Sequence, residues 1–459
     1  MQHAFNPTIL REYDIRGVVG DTLHTTDARA IGQAFATVAR ARGATRIAVG
    51  YDGRLSSPAM ADAVVEGLAA GGVDVVRVGL GPTPMLYFAG YHLAVDGGIQ
   101  ITGSHNPPDY NGFKMTLLKK PFYGEDIQEI GRIAAAGAFA TGAGAVSSAD
   151  IQQAYVDRML EDFTPGRPLT VVWDCGNGAA GPSVEALVAR LPGRHTVLNA
   201  PVDGTFPAHH PDPTLPETLE QLQAAVKQAG AELGIAFDGD GDRIGVIDGE
   251  GEVLWADQLL VLLARDVLSR HPGATVIADV KASQVLFDAV AAAGGQPLMY
   301  RTGHSLIKAK MAEVGAPLAG EMSGHIFYAD RYYGYDDALY VAVRTLGVLA
   351  GGGQTLADFR RTLPAVVNTP ELRFTCAEDR KFVVPAEVHE RLKAEGADVD
   401  ATDGVRVNTA DGWWLLRASN TQDVLVARCE AADQSGLDRL KQALAGQLQA
   451  SGVALPPGF

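Results

Sequence analysis

Short apolar runs rich in β-branched residues recur along the chain, and three of them end in aspartate: Arg46-Ile-Ala-Val-Gly-Tyr-Asp52, Leu169-Thr-Val-Val-Trp-Asp174 and Ala274-Thr-Val-Ile-Ala-Asp279. Near-continuous runs of this length predict strands buried on both faces, as in parallel sheets. Each passes through a polar loop into a helical pattern, Ala59–Ala70, Ser183–Leu191 and Gln284–Ala293, then into a second strand, Val73–Val78, His195–Leu198 and Gln296–Tyr300. Each unit then reaches a further apolar run that closes on an unusually polar loop. These are Gly98 to Thr102 before Gly103-Ser-His-Asn106, Leu233 to Phe237 before Asp238-Gly-Asp-Gly-Asp-Arg243, and Ala316 to Ala319 before Gly320-Glu-Met-Ser-Gly-His325. The repetition predicts three related domains, each contributing one loop.

Beyond Leu363–Pro370 the pattern changes to strands at Leu372–Thr375, Val405–Asn408, Trp413–Arg417 and Val424–Glu430, with helices at Pro385–Glu395 and Gly436–Leu448. The expected fold class is therefore α/β: three related α/β/α sheet domains followed by a smaller α+β C-terminal domain. The Ala-, Gly- and Ser-rich stretch Ala134–Ala149 closes the first domain, and the helical Ile151–Asp162 opens the second. The divisions expected are 1–149, 150–252, 253–364 and 365–459.

A length of 459 residues is too great for one core and agrees with three or four domains. With 47% hydrophobic and 20% charged residues the composition is that of a folded globular protein. A net charge of −16 argues against nucleic acid as the main partner, which needs clustered Lys and Arg, but not against a small phosphorylated ligand. The three cysteines, Cys175, Cys376 and Cys429, form no C-x-x-C pair, and this usage fits a reducing cytosol. Met1–Pro7 has neither a basic nor an apolar segment of a signal peptide, and the apolar run Leu259–Leu268 is broken by Arg265 and Asp266 and is too short for a bilayer. A cytoplasmic protein without membrane contact is expected. Nothing fixes its oligomeric state, and a monomer is the expectation.

The loops carry the chemistry. Asp238, Asp240 and Asp242 alternate with glycines directly after an apolar strand; three carboxylates so close need a cation, and all-oxygen donors suit a hard ion such as Mg²⁺. An EF-hand is excluded, because Arg243 stands where that loop needs Gly and Gly249 where it needs its bidentate acid. Mg²⁺ usually binds together with a phosphate oxygen, yet the chain has no P-loop and no G-x-G-x-x-G after a strand, so nucleotide binding is not indicated. Arg417-Ala-Ser-Asn-Thr421 offers a guanidinium fork, hydroxyls and an amide for an anion. Glu321, Ser323 and His325 alternate, and on an extended loop they face one side, where carboxylate and hydroxyl could hold sugar hydroxyls and His325 could move a proton. Ser104 sits on a Gly-led, Pro-stopped loop at a strand end. By itself that stretch reads equally as a turn or as a presented nucleophile.

Together these loops resemble the α-D-phosphohexomutases, most closely the bacterial phosphomannomutase/phosphoglucomutase branch. The resemblance is carried by Tyr13-Asp-Ile-Arg-Gly17, Thr102-Gly-Ser-His-Asn-Pro107, Asp238–Arg243, Gly320–His325 and Arg417–Thr421, and it spans all four predicted domains. It implies an isomerase that interconverts hexose 1-phosphate and hexose 6-phosphate, of mannose or glucose. Ser104 would carry the phosphoryl group, and Asp238, Asp240, Asp242 and a phosphoserine oxygen would hold Mg²⁺. A hexose 1,6-bisphosphate would be the intermediate, with glucose 1,6-bisphosphate as activator. Arg417, Ser419, Asn420 and Thr421 match the family's phosphate loop and Glu321 and Ser323 its sugar loop. Tyr13, Arg16, His105, Lys114, Arg243, Lys281, His304 and His325 fall at positions around the reacting groups. Lys114 or His325 could be the base that takes the hydroxyl proton.

One departure stands out: Gln422-Asp423 follows Thr421 where the family commonly has Glu-Pro, which leaves the loop's exit geometry open. The Gly-Glu-Met-Ser-Gly-His sugar loop favours glucose and mannose over glucosamine. The alternatives are a phosphoglucosamine mutase, a metal-dependent phosphatase working through a serine intermediate, and a non-catalytic sugar-phosphate binding protein.

Overall fold

The computed structural model describes residues 2–420 and 422–456. Its first three sheets share one plan. In the first, the strand Arg46–Tyr51 lies between Asp74–Leu80 and Gly97–Ile101, parallel to both, and Tyr110–Leu117 returns antiparallel to Gly97–Ile101. In the second, Leu169–Asp174 lies between Gly193–Leu198 and Leu233–Phe237, and Ile244–Asp248 returns antiparallel. In the third, Thr275–Asp279 lies between Gln296–Tyr300 and Leu318–Gly320, and Ile326–Tyr328 returns antiparallel. The parallel strands expected from the apolar runs are present, and both faces of the central ones are covered, as their near-continuous burial requires.

The return strands were not foreseen in the sequence, and they decide where the chemistry sits. Each polar loop is the connection of an antiparallel hairpin at the carboxyl end of a parallel strand, the edge where open α/β sheets bind ligands. Two helices begin earlier than expected, Ser57–Ala70 and Gly181–Val188, because Pro58 and Pro182 occupy the first helical turn, where a missing N–H costs nothing.

The first unit has its own core around Phe35, Ile99 and Phe113. A larger core runs continuously from Val76 and the Met85–Ala89 stretch of the first unit through the second and third units, and the helix Ala338–Gly351, buried at nearly every position, lies within it. The fourth sheet is wholly antiparallel: Val424–Ala431 pairs with Gly412–Ala418, which pairs with Val405–Thr409, then Asp398–Asp400. The helices Val383–Ala394 and Gln434–Ala450 pack on it through Val384, Val388, Leu440 and Leu444, so this domain is α+β as expected. All three cysteines are buried and free. No helix among the described residues is long and apolar enough to cross a membrane.

Candidate active site

The serine loop follows the strand Gly97–Ile101. Ser104 is 1% exposed and adopts a left-handed backbone, φ 51°, which an L residue with a side chain rarely holds without support. Its N–H donates to Thr102 Oγ1 at 2.8 Å, and its Oγ donates to Asp238 Oδ2 at 3.0 Å and lies 3.3 Å from His105 Nδ1. The nucleophile candidate of the first unit thus touches the acidic loop of the second. A side chain at residue 239 would press on this contact, since an added Cβ on Gly239 falls 2.5 Å from the Ser104 carbonyl oxygen.

Asp238, Asp240 and Asp242 are fully buried, with ligand oxygens all within 4.8 Å of one another. Burial, then the charges of Asp240 and Asp242, push the Asp238 carboxyl well above the usual range. Burial also works against the charge on Asp242, but Lys114 and His325 outweigh it and hold that carboxyl well below the usual range. Asp240 Oδ2 accepts from Thr83 Oγ1 at 2.5 Å, Thr102 Oγ1 at 3.0 Å and Lys114 Nζ at 2.8 Å, whereas its Oδ1 is buried without a hydrogen-bond partner among the described residues. A buried, unpaired carboxylate oxygen beside two further carboxylates has the donor chemistry for a hard divalent ion.

Cations surround this cluster. Lys114, from the return strand, is paired to Asp240 and Asp242; burial opposes its charge, but the two aspartates raise its ammonium well above its usual range. Arg16 bonds Asp14 and the side chain of Asn106, and Arg243 Nε lies 3.9 Å from Asp238 Oδ2. Burial, then Arg243, Arg16 and Lys114, keep the His105 ring below its ordinary range and hence neutral.

His325 Nε2 is 3.3 Å from Asp242, and its Nδ1 is 3.3 Å from Glu321 and 2.8 Å from Ser323 Oγ. Burial opposes its charge, yet Asp242 and Glu321 carry it up to about 9. The His304 ring stacks on it at 5.5 Å. The loop Gly320–His325 is not extended as expected. Glu321 N–H bonds His325 O at 2.8 Å and Gly324 N–H bonds Glu321 O at 3.0 Å, so a tight turn, rather than strand alternation, brings Glu321, Ser323 and His325 together.

The fourth domain joins through Tyr13 and Asp403. Tyr13 Oη donates to Thr302 O at 2.8 Å and is contacted by Asn420 Nδ2, while Asp403 Oδ2 accepts from Thr302 N–H at 3.0 Å and Arg417 Nε at 2.9 Å. Lys281 reaches Glu371 at 3.2 Å and Asp279 at 3.9 Å. Ser419 N–H donates to Val424 O and its Oγ accepts from Gln422 N–H, which makes it part of a local turn. Thr421 lies outside the described residues.

Four family descriptions match the chain in order: phosphoglucomutase/phosphomannomutase α/β/α domain I at residues 7–141, domain II at 153–251, domain III at 255–366 and the C-terminal domain at 371–447. The chain belongs to the phosphoglucomutase/phosphomannomutase family. A phosphomannomutase/phosphoglucomutase of Pseudomonas aeruginosa is 44% identical over 98% of both chains. A phosphoglucomutase of Neisseria gonorrhoeae is 44% identical over 94% of this chain and 95% of its own. The crystal structure of a phosphoglucomutase/phosphomannomutase family protein from Burkholderia thailandensis superposes with a TM-score of 0.93 at 44% identity, over 99% of each chain.

In this phosphoglucomutase/phosphomannomutase family member, side chains from elsewhere in the fourth domain hold the loop exit at Gln422-Asp423. Gln422 Oε1 accepts from Arg373 at 2.6 Å, its carbonyl accepts from Lys381 Nζ at 3.0 Å, and Lys381 lies 3.7 Å from Asp423. Three further side chains were not legible in the sequence: Thr83, which binds Asp240 beside Thr102, Asp403, which tethers Arg417, and Arg54, which braces the serine loop. The strand-ending aspartates were the available signal. Asp52 accepts from Gly103 N–H at 3.1 Å and Asp279 from Met322 N–H at 3.1 Å, so in two repeats that aspartate anchors the neighbouring functional loop.

Proposed function

We infer from family membership and site geometry together that the chain is a hexose-phosphate mutase. It interconverts the 1- and 6-phosphates of glucose, mannose or both through phosphorylated Ser104 and a bound hexose 1,6-bisphosphate, with glucose 1,6-bisphosphate as activator. The observation that carries this reading is Ser104 Oγ at 3.0 Å from Asp238, at the edge of a buried aspartate triad with an unpaired oxygen.

Mg²⁺ is the ion we assign to Asp238, Asp240, Asp242 and an oxygen of phosphorylated Ser104, where it would neutralise charge on the phosphoryl group in transfer. The chain's own groups do the rest. Arg16, Arg243 and Lys114 supply fixed positive charge around Ser104, which suits phosphoryl transfer because that reaction needs positioning and charge stabilisation above all. His105, neutral and 3.3 Å from the serine oxygen, steadies the phosphate as a hydrogen-bond partner. Lys114 is committed to two carboxylates, so it serves as a cation. His325, its Nδ1 held by Glu321 and Ser323 and its Nε2 3.3 Å from Asp242, is the group that exchanges a proton with the sugar hydroxyl.

Arg417, Ser419, Asn420 and Thr421 take the phosphate that is not reacting, Glu321 and Ser323 the sugar hydroxyls, and Tyr13, Lys281 and His304 line the space between. The divisions 1–149, 150–252, 253–364 and 365–459 then give one loop to each domain. All four loops come from one chain, so a monomer is sufficient for the reaction. Free cysteines and the absence of a long apolar helix among the described residues support a cytoplasmic location.

The test is to incubate the protein with Mg²⁺, a trace of glucose 1,6-bisphosphate and, separately, the 1-phosphates of glucose, mannose and glucosamine. Conversion of glucose or mannose 1-phosphate to the 6-phosphate is expected. Stoichiometric inorganic phosphate would identify a phosphatase, no reaction a binding protein, and preference for the amino sugar a phosphoglucosamine mutase.

A further inference from the structure

Arg54 has no role in the reaction as derived so far, yet it is the most heavily bonded side chain behind the nucleophile. It is buried with its partner Asp52, 0% and 1% exposed, at 3.2 Å. A buried guanidinium is costly unless its donors are satisfied, and here nearly all are spent on one loop. Nη2 donates to the carbonyls of Ser104 at 2.7 Å and Asn106 at 2.6 Å, and Nη1 to those of Tyr110 at 3.0 Å and Pro107. Asp52 holds the other side, accepting from Gly103 N–H at 3.1 Å, from Ser57 Oγ at 2.5 Å and from the N–H of Arg54 itself at 3.0 Å. One ion pair therefore grips the loop from Gly103 to Tyr110 at five backbone points.

The gripped segment contains Ser104 in its left-handed conformation, which is strained for a residue with a side chain and persists only when surroundings impose it. The Ser104 carbonyl is caught between Arg54 on one side and Gly239 of the aspartate loop on the other. The Phe206 ring of the second unit lies 5.2 Å from the guanidinium carbon and closes the site behind it.

We propose that Arg54 is a positioning residue for phosphoryl transfer: its fork, acting through the four loop carbonyls, fixes the left-handed backbone that aims Ser104 Oγ at Asp238. This rests on the reading of Ser104 as phosphoryl carrier. Lysine keeps the charge but cannot make four planar bonds, so Arg54→Lys separates charge from geometry.

The experiment measures thermal melting, kcat and KM for glucose 1-phosphate, and the single-turnover rate of Ser104 phosphorylation by glucose 1,6-bisphosphate, in the full chain and in Arg54→Lys and Arg54→Ala. A wild-type protein that does not isomerise hexose phosphates defeats the mutase reading itself, before any variant is compared. With an active wild type, Arg54→Lys is expected to melt cooperatively, to lose about thirtyfold or more in kcat and in the phosphorylation rate, and to keep KM within about threefold. Arg54→Ala is expected to lose more and to recover part of its rate on addition of guanidinium but not of methylammonium. A lysine variant with wild-type kcat overturns the proposal. So does one that fails to fold, or one whose kcat loss matches only its unfolded fraction, because Arg54 would then serve stability alone.

Discussion

Gly239→Ala tests how closely the serine and aspartate loops must approach. The added Cβ would lie 2.5 Å from Ser104 O, whereas ordinary contact begins near 3.4 Å, so the two loops must part by roughly 1 Å. Neither loop can yield freely: Arg54 holds the serine loop from behind, and Asp238 Oδ1 is tied to the N–H groups of Asp242 and Arg243 at 3.1 Å each. Gly239 is not left-handed, so the effect comes from contact and not from backbone preference. A displacement of that size at reacting groups costs on the order of 100-fold in rate, about 2.7 kcal/mol of barrier, and overpacking of this kind removes about 1–3 kcal/mol of stability. The assay is kcat and KM for glucose 1-phosphate beside a thermal melt. Gly446→Ala is the control, on an exposed helical position with nothing within 4 Å; it should gain about 1 kcal/mol of stability and keep full activity. A folded Gly239→Ala enzyme with kcat within threefold of wild type would refute the close-approach argument.

Thr83→Val removes one of three donors to Asp240 Oδ2 while keeping the shape of a buried side chain. Because such supporting bonds orient metal ligands, the Mg²⁺ concentration for half-maximal activity should rise about 10–100-fold, and an unchanged Mg²⁺ dependence would count against the aspartates as ligands. His209, whose Nε2 lies 2.9 Å from Asp174, has its imidazole raised above the ordinary range by that carboxylate. A raised folded value means stability present below the unfolded value and lost as pH rises through the folded one. The melting temperature of wild type relative to His209→Gln should therefore fall as pH rises through neutrality, and parallel curves for the two proteins would contradict the pairing.

The parallel strands and the order of the loops were legible because burial on both faces leaves a near-continuous apolar run, as in Leu169–Asp174. The return strands were not. Tyr110–Leu117 carries Asn111 and Lys114, polar side chains that interrupt the pattern and are themselves fully or almost fully buried in the site or its supports, and Ile244–Asp248 is only five residues long. Local sequence also could not show the turn at Gly320–His325, where convergence of Glu321 and His325 arises from a backbone hydrogen bond. Thr83, Arg54 and Asp403 were invisible for a different reason: each acts on a partner far along the chain, Asp240, the serine loop and Thr302, and carries no motif of its own.

The central claim is that Ser104 carries the phosphoryl group. Incubating the protein with Mg²⁺ and glucose 1,6-bisphosphate, then mapping phosphopeptides beside the hexose monophosphates released, should give one phosphoryl group on Ser104 per hexose monophosphate formed. Ser104→Ala should bind glucose 1-phosphate within about tenfold of wild type, roughly 1.4 kcal/mol, and turn none of it over. Full isomerisation by Ser104→Ala, or by a wild-type enzyme whose Ser104 never becomes phosphorylated, would contradict the account.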